Sequence, residues 1–145
     1  MNREILFRGK RKDNNEWIYG YYVKLYNDKD KNLLHRIYTG SSEKECDEYY
    51  EEYDEVIPET IGQYTGLNTS DGRKVFEGDI IDETGLEHKT RWLIVYNTHM
   101  MGFALKPLHE SALYDFMPVN VEKRLPGKII GNIHDNPELL YKEVK

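Results

Sequence analysis

The sequence is poor in cysteine and in long apolar runs, and each shortage excludes a class of protein. Cys46 is the single cysteine among 145 residues, so the chain has no internal disulfide and no zinc-ligand spacing. We expect Cys46 to be an ordinary intracellular thiol. No stretch approaches the ~20 apolar residues that a membrane span needs, and residues 1–8 lack the apolar core of a secretory signal. We therefore expect a cytoplasmic protein with no membrane partner.

Motifs for catalysis and for cofactor binding are also missing. The five histidines lack the spacing of paired metal ligands, and the chain has no phosphate loop, nucleophile elbow or dinucleotide fingerprint. His134 and Asp135 are adjacent, but neighbours on a strand point to opposite faces. We predict no catalytic residue, no cofactor and no metal, and we do not expect an enzyme.

One acidic group is a candidate cation site. Glu77, Asp79 and Asp82 supply the hard oxygen ligands that a divalent cation prefers. The alternative, which we favour, is a turn in which the carboxylate of Asp79 accepts main-chain hydrogen bonds.

The net charge of −6 is unevenly distributed. Residues 43–55 hold eight carboxylates and one lysine, a balance of −7, whereas residues 1–12 hold five cations and one carboxylate, a balance of +4. Such poles pair within a chain, pair between subunits or face different partners. Like charges four residues apart weaken a helix, so we expect residues 41–55 to form an exposed acidic insertion.

Short runs of β-branched and aromatic residues, separated by glycine and polar turns, predict many strands. The clearest strand covers residues 17–26, with Trp17, Tyr19 and Tyr21 on one face, and it forms a hairpin with residues 5–7. Gly20 inside it indicates a bulge or a close main-chain approach. Further strands are predicted at 33–39, 61–66, 80–82, 91–96, 102–105 and 128–134, and short helices at 107–117 and 136–141. The run 91–96 is continuously apolar, which suits a strand covered on both faces.

The fold class predicted by this pattern is mainly β, or a β-rich α+β fold. Short antiparallel strands would form a small barrel or curved sheets, with one or two short helices. The best-marked part of the chain, residues 58–81, encodes turns and no chemistry. The residues predicted to shape turns there and near the end of the chain are Gly62, Gly66, Asp71, Gly72, Glu77, Gly78, Asp79, Asn132 and Pro137.

Four groups of residues resemble the YopX family, which is encoded mainly by phages and prophages of low-GC Gram-positive bacteria. They are Phe7-Arg8-Gly9-Lys10; Trp17-Ile18-Tyr19-Gly20; PETIGQYTGL with DG and FEGDI in residues 58–80; and IGNIHDNPELL in residues 130–140. The resemblance implies one family domain over residues 1–145, a phage origin, a cytoplasmic life in the bacterial host and self-association. It assigns no activity and no catalytic residue. His134 stands where the family more often carries an aromatic residue, so a chemical role for it gains no support.

These observations favour an accessory protein that contacts itself or a host or phage protein. An alternative function is single-stranded nucleic-acid binding, through a basic rim beside an aromatic strand. The rim consists of Arg8, Lys10, Arg11, Lys12 and Trp17. Against it, Trp17, Tyr19 and Tyr21 would instead be core residues, and a pI near 5.4 has the wrong sign for a general nucleic-acid binder. We favour the core interpretation. A third hypothesis is a DNA mimic built on residues 43–55.

Overall fold

In a computed structural model of the chain, the residues described are 3–44, 48–83, 90–108, 117–118, 124–125 and 127–141. The chain forms two compact units, Met1–Gln63 and Tyr64–Lys145. The described residues form twelve β-strands and two short 3-10 helices, so the prediction of a mainly β fold is confirmed. No helix among them is long and apolar enough to cross a membrane. The prediction of one family domain over residues 1–145 stays a prediction.

The first unit is an antiparallel sheet. Its strands are β1 (Phe7–Lys10), β2 (Trp17–Asn27), β3 (Asn32–Lys44) and β4 (Glu48–Glu55), followed by a 3-10 helix (Pro58–Thr60) and the beginning of β5 (Gly62–Thr69). The first residues of β5 pair with β1, and the order continues through β2 and β3 to β4. The predicted hairpin of β1 and β2 is present, and Asn15 in its turn has φ of 65°.

The described residues of the acidic segment, 43–44 and 48–55, lie on the two paired strands of a long hairpin. β3 and β4 pair from Arg36 and Glu55 out to Lys44 and Glu48, with a register shift between Tyr38 and Gly40. In a strand, residues four positions apart lie about 13 Å from each other, so like charges that a helix would bring together are kept apart. Cys46 lies outside the described residues.

Among the described residues of the first unit, two apolar side chains are fully buried. Ile37 of β3 and Val56, just beyond β4, each have 0% exposure. Ile37 pairs with Tyr22 of β2 and Asp54 of β4, so the core lies against the face of β2 that carries the even-numbered residues.

The second unit contains a five-stranded antiparallel sheet in the order β10, β9, β8, β7, β12. The strands are β7 (Asp79–Glu83), β8 (Thr90–Asn97), β9 (Gly102–Pro107), β10 (Met117–Pro118) and β12 (Lys128–Asn132). The remainder of β5 pairs with β6 (Lys74–Phe76) and, in parallel, with β11 (Arg124–Leu125). The second 3-10 helix is Pro137–Leu140.

The core of the second unit has members on several strands. It consists of Val75, Ile81, Trp92, Ile94 and Leu105, with Leu67 and Ile129 packed against it. In β8, Leu93 and Val95 are half-buried and Tyr96 is exposed. The prediction that this strand is covered on both faces is therefore wrong at Tyr96, which shares a face with the buried Trp92 and Ile94 but lies near the end of β8, beyond the core cluster. Most of the helix predicted at 107–117 falls outside the described residues.

Candidate interaction surface

The predicted turn residues around β5 have different local roles. Gly62 is the first residue of β5 and pairs with Arg8. Gly66 has φ of 86° and lies at the register shift between β5 and β6. Gly72 also has φ of 86°, and beside it Asp71 accepts a hydrogen bond from the hydroxyl of Thr69, which lowers the pKa of Asp71. These residues shape the main chain.

The next turn joins β6 and β7 at Glu77 and Gly78, where Gly78 has φ of 87°. Asp79 follows with 2% exposure, and its Oδ2 accepts a hydrogen bond from the Phe76 N–H at 2.8 Å. This carboxylate therefore satisfies a buried main-chain donor. No group of three or more histidine, cysteine or acidic side chains is placed to hold a metal within the part of the chain that the structure describes.

The turn after β12 depends on Asn132. Its Oδ1 accepts hydrogen bonds from the N–H groups of His134, at 3.0 Å, and Asp135, at 2.9 Å. Pro137 then begins the second 3-10 helix. His134 is thus the neighbour of a structural turn.

The basic rim has two ends with different environments. At one end, the Arg8 guanidinium lies 4.6 Å and the Lys10 ammonium 5.4 Å from the centre of the Trp17 ring. Arg8 is only 6% exposed. At the other end, Arg11 Nη2 lies 2.7 Å from Asp13.

That second end of the rim also contacts the acidic segment. Arg11 lies 3.2 Å from Asp54, and Lys12 lies 3.8 Å from Glu55. The charge distribution allowed the two poles to pair within the chain, to pair between subunits or to face different partners. In the described residues, the basic and acidic poles pair within the chain. Half of the rim is thereby neutralised, which weakens its attraction for phosphate.

One face of the sheet in the first unit exposes tyrosines. Tyr19 is 48% exposed, Tyr21 65% and Tyr53 41%. The interpretation of Tyr19 and Tyr21 as core residues is therefore wrong. The physical reason is the alternation of β2, whose even-numbered residues lie on the same face as the buried Ile37.

Arg36 lies among these tyrosines and was missed by the sequence analysis. Its guanidinium carbon is 4.1 Å from the centre of the Tyr53 ring, and the Tyr53 ring centre is 5.1 Å from that of Tyr38. A hydrogen bond to Tyr38 raises the pKa of Arg36. We call Tyr19, Tyr21, Arg36, Tyr38 and Tyr53 the tyrosine–arginine face. Its one sequence signal was that Arg36 and Tyr38 share a face of a predicted strand.

An open groove adjoins the tyrosine–arginine face and shares Arg36 with it. The groove has a volume of about 540 Å³ and its lining is Leu25, Tyr26, Asn27, Asp28, Lys29, Leu34 and Arg36. Leu25 and Leu34 are directly paired across β2 and β3. Aromatic, cationic and aliphatic groups therefore continue along one face, a composition suited to binding a macromolecule.

The opposite face of β2 explains one of the histidines. The rings of Tyr22 and His35 are stacked with centres 5.9 Å apart, and the Tyr22 hydroxyl lies 2.7 Å from His35 Nδ1. His35 thus has a partner within the sheet, and its place is structural.

Comparison with known proteins gives a family and a fold. A model of the YopX protein family matches residues 6–141. The chain is also similar to the crystal structure of protein EF1440 from Enterococcus faecalis, with a TM-score of 0.60 and 25% sequence identity. That similarity covers 97% of this chain and 100% of the other. No protein with a curated description matches the chain.

Proposed function

The chain belongs to the YopX protein family, and from that premise we propose that it is a phage-encoded accessory protein acting through protein–protein contacts. The proposed setting is the cytoplasm of the bacterial host, and the proposed mode is non-enzymatic. The first partner is a second copy of the chain. The observation that carries this proposal is the tyrosine–arginine face.

The composition of that face favours protein binding. Tyrosine and arginine are enriched in protein interfaces and at the residues that contribute most to affinity. A tyrosine ring offers a large apolar area and a hydroxyl at a low cost in conformational entropy. Tyr19, Tyr21 and Tyr53 supply such rings at 41–65% exposure.

Self-association is supported by the chemical variety of the same face. A two-fold interface brings one patch against its own copy, so the patch must complement itself. Arg36 already lies over the Tyr53 ring, and cation–ring pairs of this kind form equally well between chains. Glu55, 4.0 Å from Arg36, reduces the repulsion between two arginines near the axis.

The test is the molar mass by light scattering over a range of protein concentrations. A dimer would give about 34 kDa, twice the 17.2 kDa of one chain. Replacing Tyr21 and Tyr53 together by serine should return the mass to that of one chain. The matched control is Tyr141→Ser, since Tyr141 is 70% exposed but lies in the other unit. A wild-type protein that stays at one chain's mass at micromolar concentration contradicts self-association, because specific interfaces bury ~1,200 Å² or more.

A second candidate function is single-stranded nucleic-acid binding. The observation that favours it is a row of aromatic rings along β2. Two cations, Arg8 and Lys10, lie over the Trp17 ring. The row continues with the exposed rings of Tyr19 and Tyr21. Bases stack on such rings, and cations beside them contact phosphate. The neutralised end of the rim makes this the weaker candidate.

Fluorescence anisotropy with a labelled oligothymidine tests the second candidate. Binding should weaken as salt rises, and Tyr19→Ala with Tyr21→Ala should weaken it by about tenfold or more. No binding at micromolar protein would remove this candidate. Capture of partners with a tagged copy, with and without nuclease, separates it from direct protein contacts.

A further inference from the structure

The outer edge of β4 is a second surface, separate from the tyrosine side chains. β3 pairs with one side of β4, and β4 is the last strand of its sheet in the topology of the described residues. An edge strand presents main-chain N–H and C=O groups that another strand can bind.

The chain's own basic segment already occupies one end of this edge. The Lys12 N–H donates to the Glu55 carbonyl at 3.0 Å, the Ile57 N–H donates to the Lys10 carbonyl at 2.8 Å, and Arg11 bridges Val56. Three consecutive cationic residues therefore run antiparallel to the end of β4. The chain then turns away from β4 after Lys12.

The main-chain groups available beyond that point follow from the alternation of a strand. The Val56 N–H donates to the His35 carbonyl of β3 at 2.9 Å, so the main-chain groups of Val56 point inward, toward β3. The Glu55 carbonyl accepts from the Lys12 N–H, so the main-chain groups of Glu55 point outward. Successive residues alternate between the two sides. The N–H and C=O groups of Tyr53 and Glu51 therefore point outward, and those of Asp54 point toward β3.

Charge adds selectivity to this edge. Residues 48–55 contain five carboxylates and no cation. At the occupied end, the main-chain bonds are accompanied by the pairs Arg11–Asp54, at 3.2 Å, and Lys12–Glu55, at 3.8 Å. The chain thus shows both components of recognition, a strand pairing and an ion pairing, made by lysine and arginine.

We propose that the outer edge of β4 accepts an extended, lysine- or arginine-bearing segment of a partner protein as an added strand. The added strand continues the pairing that Lys10, Arg11 and Lys12 begin. Main-chain hydrogen bonds supply affinity in this mode of binding, and side chains supply specificity. A second copy of β4 is a poor occupant, because like charges directly opposite each other destabilise a strand pair. The inference extends the proposed protein-contact function to a distinct surface and partner.

The first test uses a fluorescein-labelled peptide of about eight residues, the length of a strand, with alternating lysine and threonine. Anisotropy should show saturable binding that weakens as salt rises. The same peptide with glutamate in place of lysine should not bind. Equal binding of both peptides, or binding of neither, overturns the proposal.

Two variants separate the contribution of main-chain hydrogen bonds to peptide binding from the contribution of charge. Glu51→Pro removes an outward N–H while leaving the bonds to β3, and it should weaken binding by about tenfold. Glu51→Gln with Glu52→Gln keeps every main-chain group, and it should weaken binding by about threefold or more and reduce the salt dependence. Circular dichroism and thermal unfolding establish that each variant is folded. Unchanged affinity in both folded variants contradicts the proposal.

Amide hydrogen exchange on the wild-type protein gives a readout that needs no substitution. The peptide should slow exchange at Glu51 and Tyr53, whose N–H groups point outward, and leave the amide of Asp54 unchanged. Binding without protection at those two amides would mean that the peptide contacts side chains only, and would overturn the added strand. Tyr21→Ser should bind the peptide as the wild type does, so failure of this proposal and failure of self-association are distinguishable.

Discussion

Gly20 shows how a residue without a side chain lets two strands approach. A Cβ atom at this position would lie 2.1 Å from the carbonyl oxygen of Tyr38 and 3.1 Å from Cγ2 of Ile37. The main-chain oxygen is held by the sheet, so it cannot move aside as a flexible side chain would. The close approach that the sequence indicated at Gly20 is confirmed.

We predict that Gly20→Ala lowers the free energy of unfolding by about 2 kcal/mol or more, because overpacking of this kind costs 1–3 kcal/mol. Urea unfolding followed by circular dichroism measures the change. The control is Gly40→Ala in the neighbouring strand, where the nearest atom to the new Cβ would be 4.0 Å away. That variant should be neutral or stabilising by up to about 1 kcal/mol. Equal losses in the two variants would refute the steric account.

Asp71 makes stability depend on pH. The hydrogen bond from Thr69 is the main cause that lowers the pKa of Asp71 from its ordinary 3.8, and main-chain hydrogen bonds and the charge of Arg73 lower it further. A lowered pKa means that the folded state favours the carboxylate. The resulting stabilisation is complete above the unfolded-state pKa and is lost as the pH falls through the folded-state pKa.

Asp71→Asn isolates this effect, because the amide oxygen still accepts the Thr69 hydrogen bond and only the charge is removed. The variant should unfold more easily than the wild type at neutral pH, and the difference should shrink as the pH falls below about 4. Urea midpoints across this range measure it. A difference that stays constant down to the lowest pH would show that the charge of Asp71 has no part in it.

At the scale of elements, sequence patterns predicted where strands lie better than they predicted which face of a strand is buried and which strands pair. Residues 17–26 alternate apolar and aromatic groups on both faces, so their period predicted a strand but not which face is buried. Ile37, which lies elsewhere in the chain, decides that question. In the same way, like charges in residues 43–55 argued against a helix, but nothing local predicted the long hairpin of β3 and β4.

The candidate surface was predictable only in part for the same reason. Lys10, Arg11 and Lys12 stand out as a basic run, and Asp54 and Glu55 as an acidic one. Their pairing joins residues more than forty positions apart, and a chain read locally contains no signal for it. Arg36 became part of the tyrosine–arginine face through strand register, which the sequence leaves open.

The hairpin arm beyond the register shift should be dispensable for folding. The buried Ile37 and Val56 both lie on the near side of that shift. Replacing residues 41–51 by Asn-Gly, a strong two-residue hairpin turn, should change the free energy of unfolding by less than about 1 kcal/mol. Urea unfolding tests this, and a loss of cooperative unfolding would contradict it. The shortened chain should also fail to bind the lysine–threonine peptide, since most of the β4 edge is removed.

At the scale of the whole molecule, the charge distribution and the exposed rings serve different purposes. The acidic and basic poles meet within the first unit through Arg11 and Lys12, so self-association does not need them. The exposed tyrosines are not members of these ion pairs, and Arg36 lies over the ring of one of them, Tyr53. We therefore assign self-association to the tyrosine–arginine face and selection of cationic partners to the acidic outer edge of β4.

The most direct measurement of the central claim is tyrosine footprinting by hydroxyl radicals and mass spectrometry, at a dilute and a concentrated protein sample. Tyr19, Tyr21 and Tyr53 should become less reactive at high concentration, because two copies of the tyrosine–arginine face cover each other. Tyr141, which is exposed in the other unit, should react equally in both samples. Unchanged reactivity of all three face tyrosines, in a sample whose mass has doubled, would place the interface elsewhere and contradict the account.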